Sequence, residues 1–293
     1  MNRGIRHTAT LLIVFIAAAC LAQETSTAVK NPKDQAWSVL YAGLADSNVG
    51  KRTTAVRVLG LLPEDPKAKD AALTALKDEK PEVRAAAAQA LGDMKAKDTT
   101  AQLYEMYSDK DAGVVIAAAH ALVELGDNRG YNVYYAVLTG ERKSGEGLME
   151  EQKKMLNDPK KLAQFGFEQG IGFIPFAALG YGAFKMVTKD TTSPVLAASA
   201  LMLAKDPDPK SGQALANAAT ENKSWIVRAA VLNAIALRGE TSLRPSAEAG
   251  LLDDKEEVRY SAAAAVIRLT DLSESRAPAP HKGPATRPAP KKK

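Results

Sequence analysis

The sequence predicts an all-α protein, an α-solenoid in which antiparallel helix pairs stack side by side into a superhelix. Three observations predict this fold. A register of acidic, basic and apolar positions returns roughly every 31 to 34 residues. The predicted second helix of each pair is rich in alanine, and aromatic residues make up only 5% of the chain. Many small contacts between neighbouring pairs therefore replace one large core.

The register places an acidic or amide residue six positions before an arginine, and an apolar residue seven positions after that arginine. Four copies follow it in full: Asp46, Arg52, Leu59; Asp78, Arg84, Leu91; Asn222, Arg228, Ile235; and Asp253, Arg259, Val266. A fifth copy has Asp109 and Leu122 but Val115 in place of arginine, and Pro194 also stands where arginine is expected. Each unit has an apolar face that only its neighbours can bury, so we expect the units to stack.

Alanine explains how these helices approach one another. The run from Ala85 to Leu91 has a high helix propensity and little side-chain bulk, while Val83, Ala87 and Leu91 line one stripe. The acidic residue of each copy lies just before this helix, where a carboxylate caps exposed backbone amides. We expect contacts between neighbouring repeats only, so that they stay local in sequence.

The amino-acid sequences of the second helices resemble those of a known family. Pro81–Gly92, Trp225–Ile235 and Glu256–Val266 share one template, and it resembles the short bacterial HEAT repeats also found in phycobilin lyases, which have an armadillo-like helical fold. In that family the Asp and Arg side chains bond across successive repeats as a ladder. The resemblance therefore implies structural roles for Asp46, Asp78, Asp109, Asp253, Arg52, Arg84, Arg228 and Arg259. Val115 and Pro194 interrupt the pattern, so we expect no ladder in the middle of the chain.

The first 22 residues have the order of a secretory signal peptide. Arg3 and Arg6 precede an apolar run, Leu11–Ala19, and small residues follow it. Cleavage after Ala22 would leave a mature chain without cysteine. Lipidation of Cys20 stays open as an alternative, because residues 17–20 form a loose lipobox. We expect an exported protein in the periplasm or outside the cell, and membrane anchoring through Cys20 is the alternative.

The net positive charge of the chain comes from its two ends. Eight of the 39 Lys and Arg residues lie in the signal peptide and the C-terminal tail, so the repeats are mildly acidic. A nucleic-acid groove needs clustered basic residues, and the repeats interleave both signs. We therefore expect no nucleic-acid partner. The tail is either solubilising or a weak electrostatic tether to an anionic surface.

Residues 140–190 interrupt the repeats and concentrate aromatic residues. Helical tyrosines precede this insertion, and its glycine-rich tract adds phenylalanines. The candidate partner-binding residues are Tyr131, Tyr134, Tyr135, Phe165, Phe167, Phe173, Phe176, Tyr181 and Phe184. Two interpretations stay open: the aromatic side chains fill the gap that an insertion leaves, or they form an apolar surface for a partner.

No group of residues typical of catalysis stands out. Of the three histidines, only His120 lies within the repeats. Metal hydroxylases built on HEAT-like repeats need paired His-Glu motifs, which this sequence lacks, and Cys20 is its only cysteine. We therefore predict no catalytic residues, no metal site and no cofactor. Residues on the second helices, such as Gln89, His120, Asn233 and Arg268, are expected to be exposed on the concave wall.

These observations divide the chain into a signal peptide (1–22), a linker (23–33), N-terminal repeats (34–139), the insertion (140–190), C-terminal repeats (191–272) and a tail (273–293). We expect a non-enzymatic interaction scaffold or adaptor whose partner is another protein. One alternative is a lipid-anchored envelope protein that organises a membrane assembly. The other is a lyase-like accessory protein or chaperone that holds an apolar ligand in the middle tract.

Overall fold

The structure is a computed structural model, and it describes residues 31–139 and 192–276. These residues form α-helices joined by turns and short 3-10 segments, and no strand occurs among them. The all-α solenoid predicted from the sequence is confirmed. The helices are α1 (Pro32–Leu44), α2 (Val49–Val58), α3 (Pro66–Ala75), α4 (Pro81–Asp93), α5 (Thr100–Glu105), α6 (Ala112–Glu124), α7 (Tyr131–Thr139), α8 (Thr192–Leu203), α9 (Pro209–Glu221), α10 (Trp225–Arg238), α11 (Arg244–Gly250) and α12 (Glu256–Arg276).

Helix starts follow from proline and from side-chain caps. The side-chain oxygens of Asn31, Asp65 and Asp208 accept hydrogen bonds from the first backbone amides of α1, α3 and α9, and proline occupies the first turn of each helix. This cap starts α1 at Pro32, two residues before the predicted start of the first repeat. At the other end α12 continues to Arg276, and the tail is predicted from residue 273 onward.

Turns after the second helices share one backbone feature. Lys95, Gly126 and Gly239 each lie eleven positions after the arginine slot of their repeat, and each has a positive φ, of 58°, 85° and 65°. The amides of Ala96 and Asp127 then donate back to carbonyls in the last turns of α4 and α6, which ends those helices with a left-handed residue. Glycine adopts this conformation at little cost, whereas Lys95 adopts it against its preference.

The second helices of successive repeats pack directly on each other. α2 packs on α4 and α4 on α6, and in the C-terminal half α8 packs on α10 and α10 on α12. Small residues make this close approach possible. A Cβ atom on Gly92 of α4 would lie 2.9 Å from the Cα atom of Ala121 of α6, so the backbones meet there without room for a side chain.

The order of packing differs from the order of the sequence. The last helix, α12, packs against the first, α1, and also touches α2. At this junction Gly43 of α1 lies over the ring of Tyr260, where a Cβ atom would come within 2.5 Å of Cε1. The prediction that contacts stay local in sequence was therefore wrong. The reason is that the apolar side of the first repeat is covered by the last repeat, which lies more than two hundred residues away.

Ion pairs from Lys33 and Lys51 and a continuous core hold the junction together. Lys33 of α1 binds Asp271 of α12, and Lys51 of α2 binds Glu256. One cluster of buried apolar residues runs from Leu215 and Leu232 through Ile267 and Leu269 to Leu40. Along the stack the described helices therefore follow the order α8, α10, α12, then α1 and α2, then α4 and α6, with α7 at the far end.

Candidate functional site

The predicted ladder residues form three steps between adjacent repeats. Arg84 donates from Nε and Nη2 to both carboxylate oxygens of Asp109, at 2.6 and 2.7 Å. Arg52 binds Asp78 in the same two-pronged way at 3.0 and 3.1 Å. Arg228 binds Asp253 at 2.7 and 2.8 Å. The geometry is that of paired charge-assisted hydrogen bonds, which fix both position and orientation.

Each step also fixes the turn before its own helix. The Nη1 atom of Arg84 donates to the backbone carbonyls of Asp78 and Glu79 at 2.9 and 3.2 Å, and the Asp78 carboxylate accepts from the Lys80 amide at 2.8 Å. Burial would raise the pKa of Asp78, but the hydrogen bonds from Arg52 and from the Lys80 amide hold it below its ordinary value. These carboxylates are thus saturated with donors from the fold itself.

The ladder stops where the sequence departs from its pattern. Val115 is buried and its side chain has no hydrogen-bond donor, so Asp109 is the last step of the N-terminal half. Between α8 and α10 a hydrogen bond from the Ser193 hydroxyl to the Ser224 hydroxyl, at 2.8 Å, links the repeats instead. At the α12–α1 junction Arg259 binds the carbonyl of Asp253 and the carboxylate of Glu256. Asp46, the next acidic residue in the stack, caps the Asn48 amide at 2.7 Å.

The residues predicted to be exposed on the concave wall behave differently from one another. Gln89, His120 and Arg268 are half-buried. Asn233 is buried at 6% exposure, which corrects the prediction that it is exposed. The reason is its place on α10, which packs between α8 and α12. Its surroundings are alanine-rich, so the helices close over a side chain that a looser stack would leave in solvent.

The α7 tyrosines divide into a packing residue and two exposed residues. Tyr134 lies against a small apolar cluster formed mainly by α6, and burial raises its pKa to about 12. Tyr131 and Tyr135 are 56% and 41% exposed. The other aromatic candidates, Phe165, Phe167, Phe173, Phe176, Tyr181 and Phe184, lie outside the described residues, as does Cys20.

An open groove of about 700 Å³ lies where the first and the last described helix meet, and we call it the junction groove. It runs between the end of α12, the start of α1 and the loop before α3. It is lined by Lys33, Trp37, Pro63, Glu64, Asp65, Pro66, Lys67, Arg268, Asp271, Leu272 and Ser275. Its volume is in the range of sites that hold small molecules or a few residues of a peptide.

A tryptophan and two prolines give the junction groove an apolar surface. Trp37 is 4% exposed, and its ring stacks on Tyr41 with the centroids 5.3 Å apart. The Lys67 ammonium lies 5.6 Å from the Trp37 ring centroid, within the range of a cation–π interaction. Pro63 and Pro66 are exposed on the opposite wall, and their rings hold that wall in one conformation.

The charged groups of the junction groove differ in how fully their hydrogen-bonding atoms have partners. Lys33 holds Asp271, and the Asp65 carboxylate caps α3 by accepting from the Ala68 amide at 3.0 Å. Arg268 donates from Nη1 to the carbonyl of Leu61 at 3.1 Å, and its Nε atom is buried without an acceptor in the described part of the chain. Burial lowers the pKa of Arg268.

The sequence analysis assigned Arg268 to an exposed wall and did not single out Trp37 or the two prolines. The signal that could have found them is Tyr260, which stands in a slot that Ala85 and Ala229 occupy in other repeats. A bulky residue there needs a partner without a side chain, and Gly43 provides it. That pairing brings α1 to α12 and so builds the junction groove.

In the described ranges, 31–139 and 192–276, no group of three or more His, Cys, Asp or Glu residues could hold a metal ion. No helix in the same ranges has the length and apolar character needed to cross a membrane.

Comparisons with known proteins agree with the helical repeats. Residues 37–123 match the family of HEAT repeats. Among solved structures, human deoxyhypusine hydroxylase in complex with glycerol is 19% identical, with a TM-score of 0.28, over 83% of this chain and 87% of that one. An engineered protein is 15% identical, with a TM-score of 0.26, over 81% of this chain and 97% of that one. None of the curated proteins matches the sequence.

Proposed function

Because residues 37–123 of this chain are HEAT repeats, and helix pairs of the same kind continue in its C-terminal half, we propose that it is a non-enzymatic scaffold that binds another protein. Stacked repeats of this kind present an extended surface on a rigid frame. The ladder carboxylates and guanidiniums are consumed in holding that frame together. The side chains available to a partner are therefore those outside the ladder.

The observation that carries the proposal is the junction groove. It combines a tryptophan and an arginine, the two residue types that contribute most often to protein-binding hot spots, with proline walls. Its positive and negative charges balance, which suits a protein partner better than a polyanion. The groove also lies between the two halves of the chain, where both halves help to hold a partner.

Export is the second part of the proposal, and the sequence supports it. Arg3 and Arg6, followed by Leu11–Ala19, give the order of a secretory signal peptide. We propose that the scaffold works in the periplasm or outside the cell. Mass spectrometry of the N-terminal peptide from the native host tests this: a mature start after Ala22 supports export, a lipidated Cys20 makes it an anchored protein, and an intact Met1 contradicts export.

Site-specific photo-crosslinking in the native host tests the binding function. A photoreactive amino acid replaces Lys67, which lies in the junction groove and is exposed, or Leu252, which is 80% exposed in the turn before α12. We expect one dominant protein adduct from position 67 and none from position 252. Equal adducts from both positions, or none from position 67, would contradict the proposal, as would robust turnover of a substrate by the purified chain.

A further inference from the structure

We propose that the junction groove binds an extended peptide by its carboxylate, with Arg268 as the anchor and the apolar lining of the groove as a second contact. The inference rests on the proposed function and specifies the chemistry of the partner. Three properties of the groove support it. Arg268 has no carboxylate partner among the described residues, the carboxylates of the groove are used elsewhere or lie apart, and part of the lining is apolar.

Arg268 is a half-buried cation that lacks a carboxylate. One of its five N–H groups donates to the carbonyl of Leu61, and its Nε–H points to no acceptor among the described residues. The partly buried arginines of the ladder differ, because Arg52, Arg84 and Arg228 each bind a carboxylate with two hydrogen bonds. A guanidinium removed from water without a counter-charge is unfavourable, and a carboxylate in the groove would relieve this.

The carboxylates that line the junction groove are already used or lie apart from Arg268. Asp271 follows Arg268 on α12 but binds Lys33, and Asp65 caps α3. Glu64 lies exposed on the far wall. Since these three carboxylates balance Lys33, Lys67 and Arg268, the groove has no net charge to attract a polyanion. A ligand with one carboxylate fits this arrangement, because it adds a single negative charge at the position where a positive one is unpaired.

Apolar side chains line the groove together with Arg268: Pro66 is exposed, Leu272 is half-buried, and 4% of Trp37 is exposed. A residue that carries its carboxylate into the groove therefore has apolar surface available for a neighbouring side chain. Both the terminal carboxylate of a peptide and the side chain of Asp or Glu have this chemistry.

A peptide library distinguishes the two sources. The full chain is immobilised and exposed to random octapeptides, one pool with free C-terminal carboxylates and one with C-terminal amides, and retained peptides are identified by mass spectrometry. We expect retained peptides to carry a carboxylate beside an apolar residue. Retention in the free-acid pool alone assigns the terminal carboxylate, and retention of acidic peptides in both pools assigns the side chain. Equal retention of peptides without any carboxylate would overturn the proposal.

Variants of the arginine link this preference to the groove. Arg268→Gln is expected to lower retention by about tenfold or more, because it removes the desolvated charge. Arg244→Gln is the matched control, since Arg244 pairs with Glu248 on the exposed side of α11, and we expect it to bind like the unchanged chain. Retention that Arg268→Gln leaves intact would overturn the proposal.

A second measurement needs no change at Arg268. The chain has two tryptophans, so Trp225→Phe leaves Trp37 as the only indole that reports on the groove. A retained peptide is expected to shift the Trp37 emission, and its analogue with the carboxylate converted to an amide is expected to bind about tenfold more weakly. Equal affinities would contradict the anchor role. A crosslinked protein partner without a carboxylate preference would overturn this inference and leave the scaffold function standing, whereas carboxylate binding without a partner in the host would do the reverse.

Discussion

At the scale of single residues, the ladder arginines follow one chemical rule, and Arg268 departs from it. The arginines of the ladder are partly buried, and a carboxylate of the next repeat accompanies each of them. Both partners lose water, so neither is stable there without the other. Arg268 has comparable burial without such a partner among the described residues. Arg268 lies nine positions after Arg259, the ladder arginine of its repeat, so the register does not assign it a structural partner.

The ladder predicts a large loss of stability from one substitution. Arg84→Ala should lower the free energy of unfolding by about 2–4 kcal/mol, because it removes two bonds to Asp109 and leaves that carboxylate partly buried. Urea unfolding of the purified chain measures it. Arg244→Ala, which removes a partly exposed pair within one helix, should cost about 1 kcal/mol or less. Similar losses in both variants would show that the ladder does not stabilise the stack.

Asp93 predicts a pH dependence with the opposite sign to that of an ordinary ion-paired carboxylate. Desolvation in the wall of the stack, together with the charge of Glu124, raises the pKa of Asp93 from 3.8 to about 6, against the attraction of Lys95 and Arg57. The charged form is therefore disfavoured in the folded protein. The loss of folding stability caused by the charged Asp93 carboxylate is complete above pH 6, and it disappears as the pH falls below the unfolded pKa of 3.8.

Asp93→Asn should consequently stabilise the protein at pH 8 and leave its stability unchanged below pH 4. Solvent reaches the Asp93 side chain, so screening reduces the gain to below about 1 kcal/mol. Urea unfolding at both pH values measures it, with the exposed Asp70→Asn as control. A gain at pH 4 as large as that at pH 8 would mean that the substitution acts through packing and not through charge.

At the scale of the helices, the sequence predicts most of what the structure shows. The register alone places the second helices, because most copies combine an Asp or Asn turn, an arginine and an apolar stripe. It fails at Lys95, where glycine is the expected residue of a left-handed turn and lysine gives no signal of one. It also fails at Asn233, since the depth of a slot depends on how closely the neighbouring helices approach.

Close packing of α4 on α6 predicts the effect of a single methyl group. Gly92→Ala should lower the free energy of unfolding by about 1–2 kcal/mol, although alanine favours the helix, because its Cβ would lie 2.9 Å from the Ala121 Cα. Thermal and urea unfolding measure this. Gly50→Ala is the control, since only the flexible Asn48 side chain is near, at 3.2 Å. We expect Gly50→Ala to be neutral or slightly stabilising, and an equally mild effect at Gly92 would contradict the close contact.

At the scale of the whole molecule, the decisive feature is the packing of α12 on α1. The register could not have predicted it, because the first and the last repeat have the same acidic, basic and apolar positions; the signal is Tyr260, in the slot that Ala85 and Ala229 occupy in other repeats. The physical reason is that each open end of a stack exposes an apolar face. Here the first repeat and the last repeat cover each other. The junction groove, and with it the candidate site, is a by-product of that contact.

A cut chain tests the packing order. A protease site introduced at residues 144–147 allows the purified protein to be cleaved between α7 and α8. We expect the two fragments to remain together in size-exclusion chromatography, because the α12–α1 junction holds them. Gly43→Leu places a side chain against Tyr260 and should separate the fragments, while circular dichroism of each fragment remains helical. Fragments that separate without this substitution would contradict the packing order.

The same contact has a consequence for biosynthesis. A ribosome completes α1 first and α12 last, so the nascent chain carries Trp37 and Leu40 for almost its whole length before their cover is translated. During that interval the apolar side of α1 lacks the helix that covers it in the folded protein. Premature termination anywhere upstream of residue 256 would leave that side permanently bare, and such truncated products should aggregate or be degraded rather than persist as shorter scaffolds.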